Sequence, residues 1–245
     1  MSENAIPKND YKAYPDLESQ DMEPKQNQSN DTNKSSNSDE PGEFKLNVST
    51  TVLLVWRIIG CVSVFAIWVI AIYQFEERIF EYTSKFLTYW GLVVTTAYCL
   101  AAAIVQPEKT NRIKALSILF TLIFSLNLVI TIIYWVALFP TEEFSSKFGQ
   151  AMGMLRHIVP IVVTTVDFVI NRYKIYPIHS IIIAAIVYVV YIIVNVAFTF
   201  GQDDPVYSII TYKALQGYLY LIGALVIIGI GILIVWGFTK LKMKK

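Results

Sequence analysis

The chain has 245 residues, of which 55% are hydrophobic and 16% charged, and its formal net charge is +1. Residues 1–50 carry ten acidic residues and five lysines, a balance of −5, so the remainder of the chain carries +6. No basic cluster is interleaved with aromatic residues, which argues against a nucleic-acid-binding protein.

The first fifty residues are predicted to form a disordered acidic tail. They are rich in Ser, Asn, Asp, Glu, Gln, Lys and Pro, and they cannot bury enough apolar surface to offset the entropy lost on ordering. Tyr14 and Leu17 form a Tyr-x-x-bulky apolar pattern of the kind that cytosolic adaptor proteins read as a sorting signal. Adaptor proteins are therefore the partners that this tail suggests.

Six apolar segments follow the tail, and each is long enough to cross a bilayer. A helix rises about 1.5 Å per residue, so about twenty residues cover a hydrocarbon core of about 30 Å. Stretches such as 181–187 are apolar on every side rather than on one face. We therefore predict an all-α polytopic membrane protein, a six-helix transmembrane bundle over residues 51–240 that follows the disordered tail. The predicted spans are 52–74, 84–105, 113–139, 151–171, 178–200 and 217–238.

The positions of Lys and Arg in short loops predict the orientation of the chain. Nine of these residues fall on the side of the membrane that holds both termini, including four lysines between residues 240 and 245, and four fall on the other side. The basic C-terminal end, 241–245, also favours an anionic cytoplasmic leaflet. We predict cytosolic termini in the plasma membrane or an endomembrane. Four glycosylation sequons begin at Asn27, Asn30, Asn33 and Asn47, and glycan on the first three would contradict this orientation.

Polar residues inside the predicted spans are few, and each is unfavourable in hydrocarbon unless it is paired. Arg57 lies about one turn into the first span and is predicted to extend its side chain to the headgroups. Asn127 and Asn195 are predicted to form hydrogen bonds between helices. Asp167 is predicted to form a polar network with Asn171, one helical turn further on.

His157 and Thr88 are the candidate catalytic residues. His157 lies about seven residues into the fourth span, where Pro160 frees the carbonyl of Arg156 to accept a hydrogen bond. His157 is therefore either satisfied by that carbonyl or a neighbouring helix, or it is a base. Thr88 lies about five residues into the second span, which runs in the same direction. The two residues are predicted at depths of about 7 and 10 Å below one surface, and they share a site if their helices are adjacent.

Four short segments carry a resemblance to known families, and together they extend over about residues 50–240. They are 85–90 (Lys-Phe-Leu-Thr-Tyr-Trp), 157–160 (His-Ile-Val-Pro), 172–177 (Arg-Tyr-Lys-Ile-Tyr-Pro) and 205–207 (Pro-Val-Tyr). The membrane domain resembles the androgen-induced-gene family of multipass hydrolases, which act on fatty acid esters of hydroxy fatty acids, and more distantly the Rolling stone family. The resemblance implies a threonine nucleophile at Thr88, an assisting histidine at His157 and a lipid-ester substrate from the bilayer.

Further residues are candidates for a pocket or polar network around this pair: Tyr89, Trp90, Asn127, Asp167 and Asn195. The hydroxyl of Tyr89 and an outer-loop amide are the candidate oxyanion donors. No metal-ligand spacing, phosphate loop, dinucleotide fingerprint or Ser-centred elbow is present in the sequence, so no cofactor or metal is predicted.

Two other functions remain open at this point. Trp90 and Gly91 are closer to Rolling stone, whose members are linked to myoblast fusion, and this favours a non-catalytic protein of fusion, adhesion or scaffold type. A small transporter would use His157, Asp167 and Asn195, although the paired interrupted helices that are typical of transporters are missing from the sequence.

Overall fold

The computed structural model describes residues 49–73, 84–105, 110–144, 146–171, 173–201, 205–207, 209–210 and 212–243. Of these residues, 88% are helical and none lies in a strand. The chain divides into two units, 1–42 and 43–245, and all the described residues belong to the second. The predicted disordered tail, with its adaptor pattern and its first three sequons, lies outside the described residues; only its last two residues are described, and the second of them, Thr50, is helical.

Six helices in the described part of the chain are long and apolar enough to cross a membrane. They are α1 (Thr50–Tyr73), α2 (Leu87–Ile104), α3 (Thr110–Ile133), α4 (Lys147–Ile170), α5 (Pro177–Gly201) and α6 (Leu215–Met243). The predicted all-α, six-helix membrane fold is thereby confirmed. The helix ends differ from the predicted spans by a few residues, because a helix continues past the apolar window until its backbone hydrogen bonds end.

The third span is longer than α3 itself. A π-helical turn, Tyr134–Leu138, and a 3₁₀ turn, Phe139–Thr141, continue the helix, so the apolar segment extends over Arg112–Thr141. Pro140 lies in the 3₁₀ turn and has no N–H to donate, which favours the end of the α-helical ladder here. Irregular turns of this kind re-aim side chains, and in this chain they direct Tyr134 and Leu138 toward a cavity.

α3 is the most buried of these helices, and α2, α4, α5 and α6 pack against it. In α3, 67% of the apolar window is buried, against 22% in α1 and in α5. α1 packs on α2 and α4, and α6 packs on α3 and α5. We call the end of the bundle at which α1 begins and α6 ends the proximal end, and the opposite end the distal end.

Gly91 allows α2 and α3 to approach each other closely. A Cβ atom at this position would lie 2.7 Å from Cδ1 of Ile130 and 3.1 Å from Oδ1 of Asn127. The Asn127 amide donates a hydrogen bond to Oγ1 of Thr95, at 3.0 Å, so this asparagine joins α3 to α2 as predicted. Small residues and interhelical hydrogen bonds replace the hydrophobic effect as the source of association in lipid.

Arg57 does not extend to the headgroups, and the prediction for this residue is wrong. Its side chain is buried at the proximal end, where Nε forms an ion pair with Asp167 at 3.1 Å. Nη1 donates to the carbonyl of Ala102 at 2.7 Å, and Nη2 donates to the Tyr173 hydroxyl at 2.9 Å. The guanidinium stays in the bundle because α2, α4 and the following loop supply these three acceptors.

Asp167 receives two further hydrogen bonds in the same place. The Tyr98 hydroxyl donates to Oδ2 at 2.5 Å, and the Asn171 amide donates to Oδ2 at 2.8 Å. The predicted network of Asp167 with Asn171 is therefore confirmed. We call Arg57, Tyr98, Asp167, Asn171 and Tyr173 the proximal cluster.

Candidate active site

A cavity of about 300 Å³ lies at the distal end of the bundle, between α2, α3, α4 and the loop that precedes α6. We call the described residues of this loop, 205–207, 209–210 and 212–214, the distal loop. We call it the polar cavity. Both catalytic candidates line it, Thr88 from α2 and His157 from α4. Its other lining residues are Phe86, Tyr89, Tyr134, Leu138, Thr141, Glu142, Arg156, Val206 and Tyr207.

Thr88 is the second residue of α2, and its position at the helix N-terminus shapes its surroundings. Phe86 precedes the helix with extended backbone angles and no side-chain cap. The first N–H groups of a helix have no intrahelical acceptor. The N–H of Leu87 donates instead to the Tyr207 hydroxyl, at 3.1 Å. A residue of the distal loop thus caps α2 directly beside Thr88, and the positive end of the helix dipole faces the polar cavity.

Tyr207 connects the distal loop to the Thr88 hydroxyl. Burial raises the pKa of the Tyr207 hydroxyl, while hydrogen bonds from the Tyr191 hydroxyl, the Leu87 N–H and the Thr88 side chain oppose that rise. The Tyr207 hydroxyl therefore stays protonated at neutral pH and serves as an acceptor for its neighbours. Tyr207 and Thr88 both line the polar cavity at this point.

His157 is held by stacking rather than by hydrogen bonds. Its ring lies parallel to the Tyr134 ring, with centroids 3.6 Å apart and planes inclined by 8°. Gly153, one turn before His157 on α4, makes room for Tyr134: a Cβ there would lie 3.0 Å from the Tyr134 hydroxyl. The side chain of His157 is buried, and its Nδ1 has no hydrogen-bond partner among the described residues. The interpretation of a histidine satisfied by the Arg156 carbonyl therefore finds no support at this nitrogen.

Arg156 brings a positive charge into the same cavity. Its Nη1 donates to the Tyr89 hydroxyl at 3.4 Å, and its Nε is buried without a partner among the described residues. Glu142, in the loop after the 3₁₀ turn, brings a carboxylate to the wall. The cavity thus combines a hydroxyl, an imidazole, a guanidinium and a carboxylate.

Trp90 and Asn195 do not line this cavity but support the loop that closes it. The Trp90 ring packs edge-on against Tyr191 of α5, with centroids 5.6 Å apart. The Asn195 amide donates to the Tyr191 hydroxyl at 3.2 Å, and Oδ1 of Asn195 accepts from the Tyr212 hydroxyl at 2.7 Å. Tyr212 has a φ of 56°, which is unfavourable for a tyrosine and requires such anchoring. These contacts hold the segment that carries Tyr207.

The remaining predicted residues fall into two groups. Tyr89 lines the polar cavity, as Thr88 and His157 do. Asn127 lies between α2 and α3, and Asp167 belongs to the proximal cluster, ten residues after His157 and therefore about 15 Å along α4. The structure does not bring these two residues into the polar cavity.

Sequence reasoning missed most of the cavity lining, including Tyr134, Glu142 and Tyr207. No sequence feature marks Tyr134 or Glu142 as a site residue, because an aromatic residue in an apolar span and an acidic residue in the loop after it are both common. For Tyr207 there is a weak sequence feature, since it belongs to the segment 205–207 that contributes to the resemblance.

Within the described ranges, no group of three or more His, Cys, Asp and Glu side chains is arranged to hold a metal ion. No family model matches the chain, no curated protein is significantly similar to it, and no solved structure matches its fold. The resemblance to the androgen-induced-gene family therefore stays a prediction.

Proposed function

We propose that this multipass membrane protein hydrolyses lipid esters, with Thr88 as the nucleophile and His157 as the general base. The observation that carries the proposal is that both side chains, which lie on separate helices, line one cavity at the distal end. A threonine hydroxyl is a weak nucleophile and needs a nearby base. His157 fits that role because its Nδ1 has no protein partner in the described part of the chain.

The reaction proceeds in two steps. His157 takes the proton of Thr88 Oγ1 as that oxygen attacks the ester carbonyl carbon. The bond from this carbon to the alkoxy oxygen then breaks, and the imidazolium returns the proton to the leaving alcohol. His157 then takes a proton from a water molecule as the water oxygen attacks the acyl carbon of the acyl-threonine. The bond from this carbon to Thr88 Oγ1 breaks, the imidazolium returns the proton to Oγ1, and the fatty acid is released. Atoms and charge balance without a cofactor.

Two groups are positioned to stabilise the negative charge of the tetrahedral intermediate. The positive end of the α2 helix dipole lies at the Thr88 position, although the N–H of Leu87 is already bonded to the Tyr207 hydroxyl and that of Tyr89 to the Phe86 carbonyl. The guanidinium of Arg156, whose Nε has no partner among the described residues, lies in the same wall. Removing one such donor from an enzyme reduces kcat by about 100- to 1,000-fold.

The position of the cavity suits a substrate that is dissolved in the membrane. Thr88 and His157 lie within apolar spans, close to one end of them. A lipid ester reaches that depth by lateral diffusion, and the surrounding helices limit the access of bulk water. This favours a lipid ester over a soluble one.

The test is an esterase assay on protein reconstituted in lipid nanodiscs, with branched and simple fatty acid esters as substrates. Thr88→Ala and His157→Ala are each expected to lose about 100-fold or more of kcat while remaining folded, as a cooperative melting transition would show. Thr88→Ser keeps a hydroxyl and is expected to retain measurable activity.

The chain offers matched controls for both variants. Thr96 lies on the same helix as Thr88 and outside the cavity lining, and His179 is an exposed histidine at the start of α5. Thr96→Ala and His179→Ala are expected to keep wild-type activity. Wild-type activity in Thr88→Ala would exclude this nucleophile. A wild-type protein that hydrolyses none of the esters would support the non-catalytic alternative of Rolling stone type.

A further inference from the structure

A second cavity, of about 40 Å³, adjoins the polar cavity and differs from it in character. We call it the apolar chamber. Four residues line both spaces: Thr88, Leu138, His157 and Tyr207. Beyond them the chamber is enclosed by isoleucine, leucine, alanine and tyrosine side chains of α3, α5, α6 and the distal loop, among them Ile130, Tyr188, Leu221 and Ala224. The candidate nucleophile thus stands where a polar and an apolar space meet.

A third, smaller void of about 10 Å³ continues from the apolar chamber along the cleft between α3, α5 and α6. Leu87 and Tyr188 line both spaces, and Leu126 and Ile228 are among the residues that enclose the further one. The three spaces therefore form a series that begins at the polar cavity and passes Thr88 and Tyr188.

Tyr188 is fixed across this series. Its hydroxyl donates a hydrogen bond of 2.5 Å to the carbonyl of Leu221, which joins α5 to α6. The side chain is buried, and it lines both the apolar chamber and the void beyond it. An aromatic ring that is anchored at its far end has little freedom to move aside.

We propose that the cleft between α3, α5 and α6 is the acyl-chain channel of the enzyme, and that Tyr188 closes it and sets the chain length that it accepts. This inference rests on the proposed function, because it takes the ester carbonyl to lie at Thr88. The occupant is a short, linear acyl chain of the ester, since aliphatic side chains make up much of the wall beyond Thr88, the Tyr188 hydroxyl is already bonded to the Leu221 carbonyl, and a polar chain would lose its hydration there.

The size of the chamber limits how much of the chain enters it. One water-sized group needs about 10–15 Å³ of such volume, so the chamber holds about three, equivalent to about three or four chain carbons. Each two methylene groups that gain apolar contact improve binding roughly tenfold. A chain that ends at Tyr188 is therefore favoured strongly over one that must continue past the ring.

Three substitutions test this arrangement. Tyr188→Ala removes about seven heavy atoms and joins the two spaces, so longer chains are expected to enter. Tyr188→Phe is the matched control: it removes the hydrogen bond to the Leu221 carbonyl but keeps the ring, so it should change the length profile far less than Tyr188→Ala does. Ala224→Leu fills the chamber from α6 and should exclude even short chains. Because it adds side-chain volume rather than removing it, this variant tests the idea independently if Tyr188→Ala is unstable.

The readout is photo-labelling, which requires binding but not hydrolysis. The probes are alkyl ketones, which are isosteres of esters, with chains from butyl to hexadecyl length that end in a diazirine. Protein in nanodiscs is mixed with one probe and irradiated, and the adducts are mapped by mass spectrometry. In the wild type, short probes are expected to label Leu221 or Ala224. In Tyr188→Ala, longer probes are expected to label Leu126 or Ile228 at least tenfold more than in the wild type.

Failure of the inference and failure of the proposed function give different results. Identical labelling in the wild type, Tyr188→Ala and Ala224→Leu, or adducts confined to lipid-facing side chains, would overturn the channel even if the protein hydrolyses esters. Labelling that follows the substitutions as expected, in a protein without esterase activity, would support the channel as a lipid-binding site and reject only the reaction.

Discussion

The buried ion pair of Arg57 and Asp167 gives a sharp prediction about the stability of the bundle. The side chains of the two residues are 10% and 1% exposed, so water does not replace a missing partner. Arg57→Met leaves the Asp167 carboxylate with only the Tyr98 and Asn171 donors. Asp167→Leu leaves the Arg57 guanidinium with the Ala102 carbonyl and the Tyr173 hydroxyl alone.

Each single substitution is expected to lower the free energy of unfolding by about 3–5 kcal/mol, because it leaves one uncompensated charge in an apolar environment. The double variant Arg57→Met/Asp167→Leu removes both charges, so it should be destabilised by about 2 kcal/mol less than the sum of the single variants. The free energies are measured by titrating mixed micelles with a denaturing detergent and following helicity.

Lys174→Met provides the control, since Lys174 is exposed and its side chain belongs to no ion pair within the described residues. If Arg57→Met changes the free energy of unfolding by less than about 1 kcal/mol, the arginine behaves as an exposed surface cation, and the buried pair is refuted. Strictly additive single variants would likewise show that the two charges do not interact.

Two further predictions concern helix packing and pH. Gly91→Ala should destabilise the protein by about 1–3 kcal/mol, because the new methyl group would lie 2.7 Å from Cδ1 of Ile130. Gly223→Ala is the control: a methyl group there has no atom within 4 Å, so this variant should be neutral or stabilising. Equal melting temperatures for the two variants would contradict the close approach of α2 and α3. Burial raises the pKa of Tyr173 and of Tyr207, so the unfolded chain releases these protons at a lower pH than the folded protein does. The free energy of unfolding should therefore stay constant up to about pH 9 and fall above about pH 10. A detergent titration at several pH values measures this fall, which should be smaller in Tyr207→Phe.

The membrane fold could be predicted from the sequence because hydropathy is a local property. Each span is recognisable from about twenty consecutive residues, whatever it packs against, and the six predicted spans match the six helices apart from their ends. The network of Asp167 with Asn171 could also be predicted from the sequence, because residues four apart lie on the same helix face.

The candidate site could be predicted only in part. Thr88 and His157 were singled out by their residue types, their depth and the resemblance, and their catalytic roles stay predictions. The π-helical turn that brings Tyr134 onto His157, and the loop that brings Tyr207 onto the N-terminus of α2, have no local signature. The wrong prediction that Arg57 extends to the headgroups has the same origin, because the sequence does not show which residues of other helices lie next to it.

The sequence alone determined that the chain crosses the membrane, how many times the described helices do so and at which depth each polar residue lies. Tertiary structure alone decided which helices are adjacent, and so it paired Arg57 with Asp167, placed Thr88 and His157 in one cavity and left a cleft beside Tyr188. The physical reason is that depth follows from counting residues at about 1.5 Å each, whereas adjacency follows from the packing of helix surfaces and close contacts such as that at Gly91.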